Sequence, residues 1–388
     1  MRAISHRIVA GILGIVLSCT CGEAQNRCDS VAELSKVASE LRGLPFNSAV
    51  NCVELPPAEF DAAFRARINP QIDLPKLQAE GRVYKLLGFV PSELDYSNCI
   101  LESYFSETEA FFREDWNDFI LRRGTAIHAP TAVHELVHAL QNQHFHLKQA
   151  ANVRAESSDA LLAKFALIEG DATEIERRVG GGKALSDLSN GDANEDEVQP
   201  AACQLPEQLD QLLAFPYEAG ERFVRTIWEA GGVSAVNRAF ADFPTTTAEV
   251  LHPEWYLKGR AQDRFLLPNP KKTQPPLFSD RMGEFFIRTY LELFLPARQA
   301  VQVAEKWQDD QLALELLPEN RYRVQWRTLW ESEAAAKSFK GALLELLAGR
   351  FHFPALNNAA ATCQVEAESV GVLHVSQAGS QVTIQITR

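Results

Sequence analysis

Val133, Leu136, Val137 and Leu140 recur at i, i+3, i+4 and i+7, the apolar stripe of an α-helix that commits one face to a core. The same stretch reads His134-Glu135-Leu136-Val137-His138. At about 100° per residue the two histidines lie roughly 40° apart and one turn along, so both imidazoles can reach a single point. Glu135 is one step round from His134, beside that point but not aimed at it. A chain carrying this segment must bury one side of a helix and line a cleft with the other. Thr131, after Pro130, is the expected N-cap.

Two imidazoles do not complete a catalytic zinc site, which takes three protein ligands and keeps a fourth position open. A third candidate lies in Ala166-Leu167-Ile168-Glu169-Gly170-Asp171-Ala172-Thr173, inside a second expected helix from about Ser158 to Val179. Glu169 interrupts an apolar run, and a carboxylate there is costly to bury unless it is paired or bound to a cation. A salt bridge to Arg or Lys is the competing reading of Glu169, as an ordinary polar helix face is of the histidines. Gly170 costs about 1 kcal/mol inside a helix and suits a place where another backbone or a ligand comes close.

The chain has 388 residues, 46% hydrophobic and 23% charged, so it is a folded protein of one large domain or two modest ones. Its 38 Lys and Arg against 51 Asp and Glu leave a net charge of -13, which argues against nucleic acid as a partner. Arg2 and Arg7 precede the apolar run Ile8 to Ser18, shorter than a membrane span and typical of a secretory signal over residues 1 to 24. Two cleavage readings stand. Val16-Leu17-Ser18-Cys19 resembles a lipobox that would make Cys19 a lipidated first residue, and Gly22-Glu23-Ala24 resembles an ordinary peptidase site. Removing Cys19 leaves Cys21, Cys28, Cys52, Cys99, Cys203 and Cys363 as possible disulfide partners in an oxidising compartment.

Residues 25 to 45 carry the helical pattern Val31, Leu34, Val37, Ala38 and Leu41, ending near Gly43, and further helices are expected at Ala58 to Arg67, Leu74 to Leu87, Pro206 to Gly231, Met282 to Leu295, Ala297 to Gln308 and Ala334 to Ala348. Leu94 to Phe105 reads as a helix or an irregular segment, and Ala49 to Leu55 as a short extended piece. Ala110 to Arg113 and Asp118 to Leu121 flank a polar turn and suit a small β-hairpin at least as well as a helix, and Val370 to Val375 with Val382 to Thr387 reads as a terminal β-hairpin. Ser186 to Gln199 is acidic and reads as a solvated loop in preference to a calcium site. These elements make an α+β, helix-rich chain. A catalytic region spans residues 25 to 260, and a helical C-terminal region at 261 to 388 ends in the hairpin and packs on it.

HELVHALQNQHF followed by ALIEGDAT resembles the gluzincin branch of zinc metallopeptidases, and more narrowly a group of uncharacterised bacterial secreted proteins of metallopeptidase type. The likeness includes Leu41-Arg42-Gly43-Leu44-Pro45-Phe46 and the segment Thr246 to Tyr256, covers about residues 30 to 260, and leaves the last third poorly matched. It implies a zincin-like unit with Zn2+ on His134, His138 and Glu169, and Glu135 as general base. It also implies an oxyanion donor from outside the two helices, His252 or Tyr256. Thermolysin-like members place an Asp four residues after the ligand Glu, where this chain has Thr173, which makes Asp171 the candidate supporting partner. His128, His144 and His146 fall off the ligand face. Asp118 to Leu121 is the expected edge for an extended substrate.

The expected function is extracytoplasmic, zinc-dependent hydrolysis of peptide or protein substrates, by an exported or lipid-anchored protein that touches the membrane only through that anchor. Hydrolysis of a cell-wall amide by the same chemistry is one alternative. A non-catalytic surface lipoprotein with a structural zinc site is another, and Glu135 argues against it because a structural site needs no general base.

Overall fold

The computed structural model describes residues 27–106, 108–125, 128–147, 156–180, 203, 205–259, 266–267 and 275–388. The signal segment, Cys19, Cys21 and the acidic stretch 186–199 lie outside the described residues. The first part of the chain forms α1 (Val31–Arg42), β1 (Asn51–Leu55), α2 (Pro57–Ile68), α3 (Leu74–Leu86) and α4 (Tyr96–Ser106). The hairpin strands β2 (Ala110–Arg113) and β3 (Asp118–Arg122) then lead into α5 (Ala129–Phe145), α6 (Ser158–Gly180) and α7 (Glu207–Ala239). Two short helices, α8 (Thr247–Leu251) and α9 (Pro253–Leu257), precede β4 (Phe278–Asp280), α10 (Gly283–Leu291), α11 (Ala297–Ala304), β5 (Trp307–Leu317) and β6 (Arg321–Trp330). The chain closes with α12 (Glu333–Phe351), β7 (Thr362–Ala367), β8 (Gly371–Ala378) and β9 (Gln381–Thr387).

Both expected hairpins are present, and the molecule is α+β. The small sheet runs β1-β3-β2, with β1 parallel and β2 antiparallel to β3. Strand alternation sends Phe111 and Ile120 to one face, against Phe60 and Phe64 of α2, and Phe119 and Leu121 to the other, against Val133 and Leu136 of α5. Two expectations change here. Asp118 to Leu121 is the middle strand, paired on both sides, so the edges of this sheet are β1 and β2. The cap of α5 is His128 and not Thr131, because Pro130 fits in the first turn, where its missing N–H costs nothing.

The C-terminal region is not mainly helical. It builds a six-stranded sheet ordered β4-β5-β6-β9-β8-β7, antiparallel throughout. The run Gln311 to Leu317 is rich in Leu, Ala and Glu and lacks clean alternation because β5 is buried on both faces for much of its length, which hides a strand from periodicity. One hydrophobic core joins this sheet to the rest, running from Val83 and Leu167 through Phe223 and Phe286 to Trp326 and Ile384.

Buried carboxylates flank the junction of the two parts, where the Asp159 N–H donates to the Arg281 carbonyl. Asp310 accepts from the Met282 and Gly283 N–H groups and the Trp307 and Trp326 indoles, and Asp159 at the start of α6 accepts from the Thr247 N–H and hydroxyl. Burial pushes Asp159 up to about 7 and Asp310 to about 6. Unfolded, both titrate near pH ~4. Their contribution to stability is therefore fullest below that value and is lost as the pH rises through 6 to 7. Thermal scans should show Tm falling from pH 5 to pH 8, with a shallower fall in Asp159→Asn; an equal slope in the variant contradicts the assignment.

Among the described residues two disulfides are formed, Cys28–Cys52 and Cys99–Cys203. Cys363 is not a disulfide partner: it is buried on β7 with its thiol on the Asn357 carbonyl. Among the described residues no helix is long and apolar enough to cross a membrane.

The closest helix crossing is that of α6 and α7. A Cβ on Gly170 would overlap the Gly220 backbone, and one on Gly220 would overlap the Ala166 carbonyl. The close approach expected at Gly170 is thus made by another backbone, one residue from Glu169. Gly170→Ala should cost about 1–3 kcal/mol or more by overpacking, seen as a lower denaturation midpoint; an unchanged midpoint contradicts this packing.

Candidate metal centre

Helix α5 turns its apolar stripe into the core and presents His134 and His138 towards α6, where Glu169 faces them. His134 Nε2 and His138 Nε2 are 3.1 Å apart, and each lies 3.3 Å from Glu169 Oε2. Among the described residues these three are the group of His, Cys, Asp or Glu side chains that converges closely enough to hold one ion. Ligand atoms at about 2.0–2.1 Å from a tetrahedral zinc stand roughly 3.3 Å from one another. The triangle therefore already has the edge lengths of one face of such a tetrahedron, and its donors are of the type zinc takes.

The electrostatics favour positive charge inside the triangle. Burial alone would lower His134, but its bonds to Glu169 and Glu176 and the charges of Glu169 and Glu135 outweigh that and raise it to about 10. His138 also rises, against burial, through the charge and hydrogen bond of Glu169. Burial pushes Glu169 up, and the two imidazoles more than reverse this and hold it below the usual carboxylate range.

Each histidine has a partner on its other nitrogen, the usual way a ligand ring is oriented. His134 Nδ1 lies 3.1 Å from Glu176 Oε2, two turns along α6 from Glu169. His138 Nδ1 lies 2.9 Å from Gln141 Oε1. Asp171, the expected supporting residue, touches neither ring directly and contacts Gln141 instead. The i+7 spacing of Glu169 and Glu176 puts them on one helix face and was a signal available in the sequence. Gln141, three residues after His138 and seven after His134, shares their helix face and was legible in the same way.

Glu135 sits at the edge of the cluster, where its Oε2 accepts the Phe112 N–H of β2 at 3.1 Å. That N–H points away from β3, so Phe112 belongs to a non-hydrogen-bonded pair with Phe119 and turns its peptide groups outwards, as Ala110 does two residues earlier. Arg67 of α2 makes two bonds to Glu114, at 3.2 and 2.5 Å. Burial pushes Arg67 down, while Glu114 and the nearby charges of Glu135 and Glu169 push it up.

His252 and Tyr256 do not aim their polar atoms at the triangle. His252 Nε2 meets the Glu284 carboxylate at 2.9 Å with its ring stacked on Trp255, and the Tyr256 hydroxyl donates to the Asp242 carbonyl at 2.6 Å. Their helices α8 and α9 pack against α7 and α10, which directs both side chains there. The aromatic beside the triangle is Tyr217 of α7, its ring 6.3 Å from that of His134 and 44% exposed. His128 is exposed at the start of α5, His144 bonds the Pro45 carbonyl, and His146 ends the helix in the left-handed conformation, all off the ligand face.

Residues 274–387, the C-terminal sheet and its helices, match a family model described as a domain of unknown function, DUF8575. No curated protein and no solved structure matches the chain.

Proposed function

We propose that the protein is an exported, zinc-dependent hydrolase of peptide bonds, with a zincin-like unit built on α5 and α6. The observation that carries this reading is the triangle of His134, His138 and Glu169, with edges of 3.1, 3.3 and 3.3 Å, and Glu135 beside it. Zinc, which His134, His138 and Glu169 would hold, would supply Lewis acidity for the hydrolysis.

The chain's own residues do the rest. Glu135 takes a proton from the attacking water and returns it to the leaving amine. The Phe112 N–H holds one of its oxygens, which keeps the carboxylate oriented. Glu176 and Gln141 hold the ligand rings. An extended substrate pairs along the outward peptide groups of Ala110 and the outward carbonyl of Phe112, with β2 taking the place of Asp118 to Leu121 as the edge. Tyr217 replaces His252 and Tyr256 as the candidate donor to the developing oxyanion, because its ring lies against His134 and is open to solvent.

The reading is tested by zinc content and by cleavage of an unfolded protein. One zinc per chain and chelator-sensitive cleavage are expected; zinc-loaded protein inert on peptides sinks the peptidase reading. Tyr217→Phe should lower kcat by about 10²-fold with zinc affinity unchanged. A kcat equal to wild type removes Tyr217 from the reaction.

A further inference from the structure

The segment Leu41 to Phe46 carries a buried cation that the hydrolytic reading leaves without a task. Arg42 is fully buried at the end of α1, and its Nε donates to Asp171 Oδ2 at 2.8 Å. Its guanidinium lies over Trp228 at 5.9 Å and Phe240 at 6.0 Å, while Nη1 and Nη2 are buried with no hydrogen-bond partner, as is Asp171 Oδ1. A buried pair satisfied so incompletely is a poor source of stability. Its position offers another role.

Asp171 Oδ2 also accepts from Gln141 Nε2 at 3.0 Å, and the same nitrogen donates to the Ile168 carbonyl at 2.9 Å. Both partners accept, the Ile168 carbonyl by its nature and Asp171 Oδ2 as the oxygen that also takes the Arg42 Nε–H, so the Gln141 amide has one allowed orientation. Its Oε1 must face His138. Because Oε1 only accepts, His138 Nδ1 must carry a proton, which leaves Nε2 as the nitrogen presented to the Glu169 triangle. We infer that Arg42, Asp171 and Gln141 form a buried polarity relay from the end of α1 that dictates which nitrogen of His138 faces the metal. Arg42 is a positioning residue, acting through two others. His134 is oriented differently, by the partly exposed Glu176, so the two rings have independent supports.

This inference rests on the metal-centre reading, and its test separates the two. Zinc affinity is measured by chelator competition for wild type, Gln141→Met, Arg42→Met and the double variant. Exchange of the His138 Nδ1 proton is followed by NMR in the metal-free chain. Gln141→Met should weaken zinc binding about 10–100-fold. Arg42→Met should weaken it less, speed the proton's exchange at least about tenfold, and add nothing in the Gln141→Met background, since the relay is already cut there. Arg42→Lys should recover part of the loss. If Arg42→Met does not fold, the isosteric Asp171→Asn takes its place in the cycle. Additive losses, or a Nδ1 proton whose exchange ignores Arg42, overturn the relay. Failure of wild type to bind zinc would sink the metal reading, and the exchange rates would still decide the relay.

Discussion

Glu135→Gln should lower hydrolysis of an unfolded protein by about 10²–10⁴-fold, the usual contribution of a positioned base, while zinc stays at one per chain. Gln keeps the size of the side chain and an oxygen for the Phe112 N–H, so the edge strand and the ligand triangle are preserved. What it loses is the ability to take a proton. A chelator titration run beside the cleavage assay separates the two effects. Retained zinc with residual activity near wild type would mean that Glu135 is only a surface carboxylate tethered to β2.

The second large effect is expected at Glu169. Structural zinc sites with four ligands bind with about 10–16 kcal/mol, or roughly 3 kcal/mol per ligand, so losing one ligand should weaken binding by about 10²-fold or more. Glu169→Gln tests this at nearly constant volume, since a neutral amide is a poor zinc ligand. Competition with a chromophoric chelator reads the affinity directly. An unchanged affinity would return Glu169 to the role of ion-pair partner for the two imidazoles, which its distances also permit.

The parts of the site legible in the sequence were those set by a single helix. The spacing of His134 and His138 follows from 3.6 residues per turn, and Glu169 stood out as a carboxylate that an apolar segment must justify. Gly170 was legible for the same reason, and the Gly220 backbone against it explains how α6 is held close enough to α7. Gln141, Asp171 and Arg42 come from three helices, and their shared hydrogen bonds exist only once those helices pack. Tyr217 likewise meets His134 only through the α6 and α7 crossing.

His252 was misleading because its neighbours in sequence form a compact, well-capped turn. Thr246 caps α8, Asp159 fixes Thr247, and the resulting helix pair delivers His252 to Glu284. The C-terminal sheet was hidden for a different reason. Leu312, Ala313 and Leu314 are consecutive buried residues, so β5 carries neither the alternation of a half-exposed strand nor a composition typical of β-structure. Pairing with β6 across ten residue pairs and with β4 across three makes it a strand.

The central claim is that one metal ion on His134, His138 and Glu169 drives peptide hydrolysis. Its most direct test is to strip the purified mature protein with a chelator and titrate zinc back while following cleavage of an unfolded protein. Cleavage should vanish on stripping and return linearly until one equivalent of zinc is bound. Cleavage that survives stripping, or a protein that binds its equivalent of zinc and still cuts nothing, would contradict it.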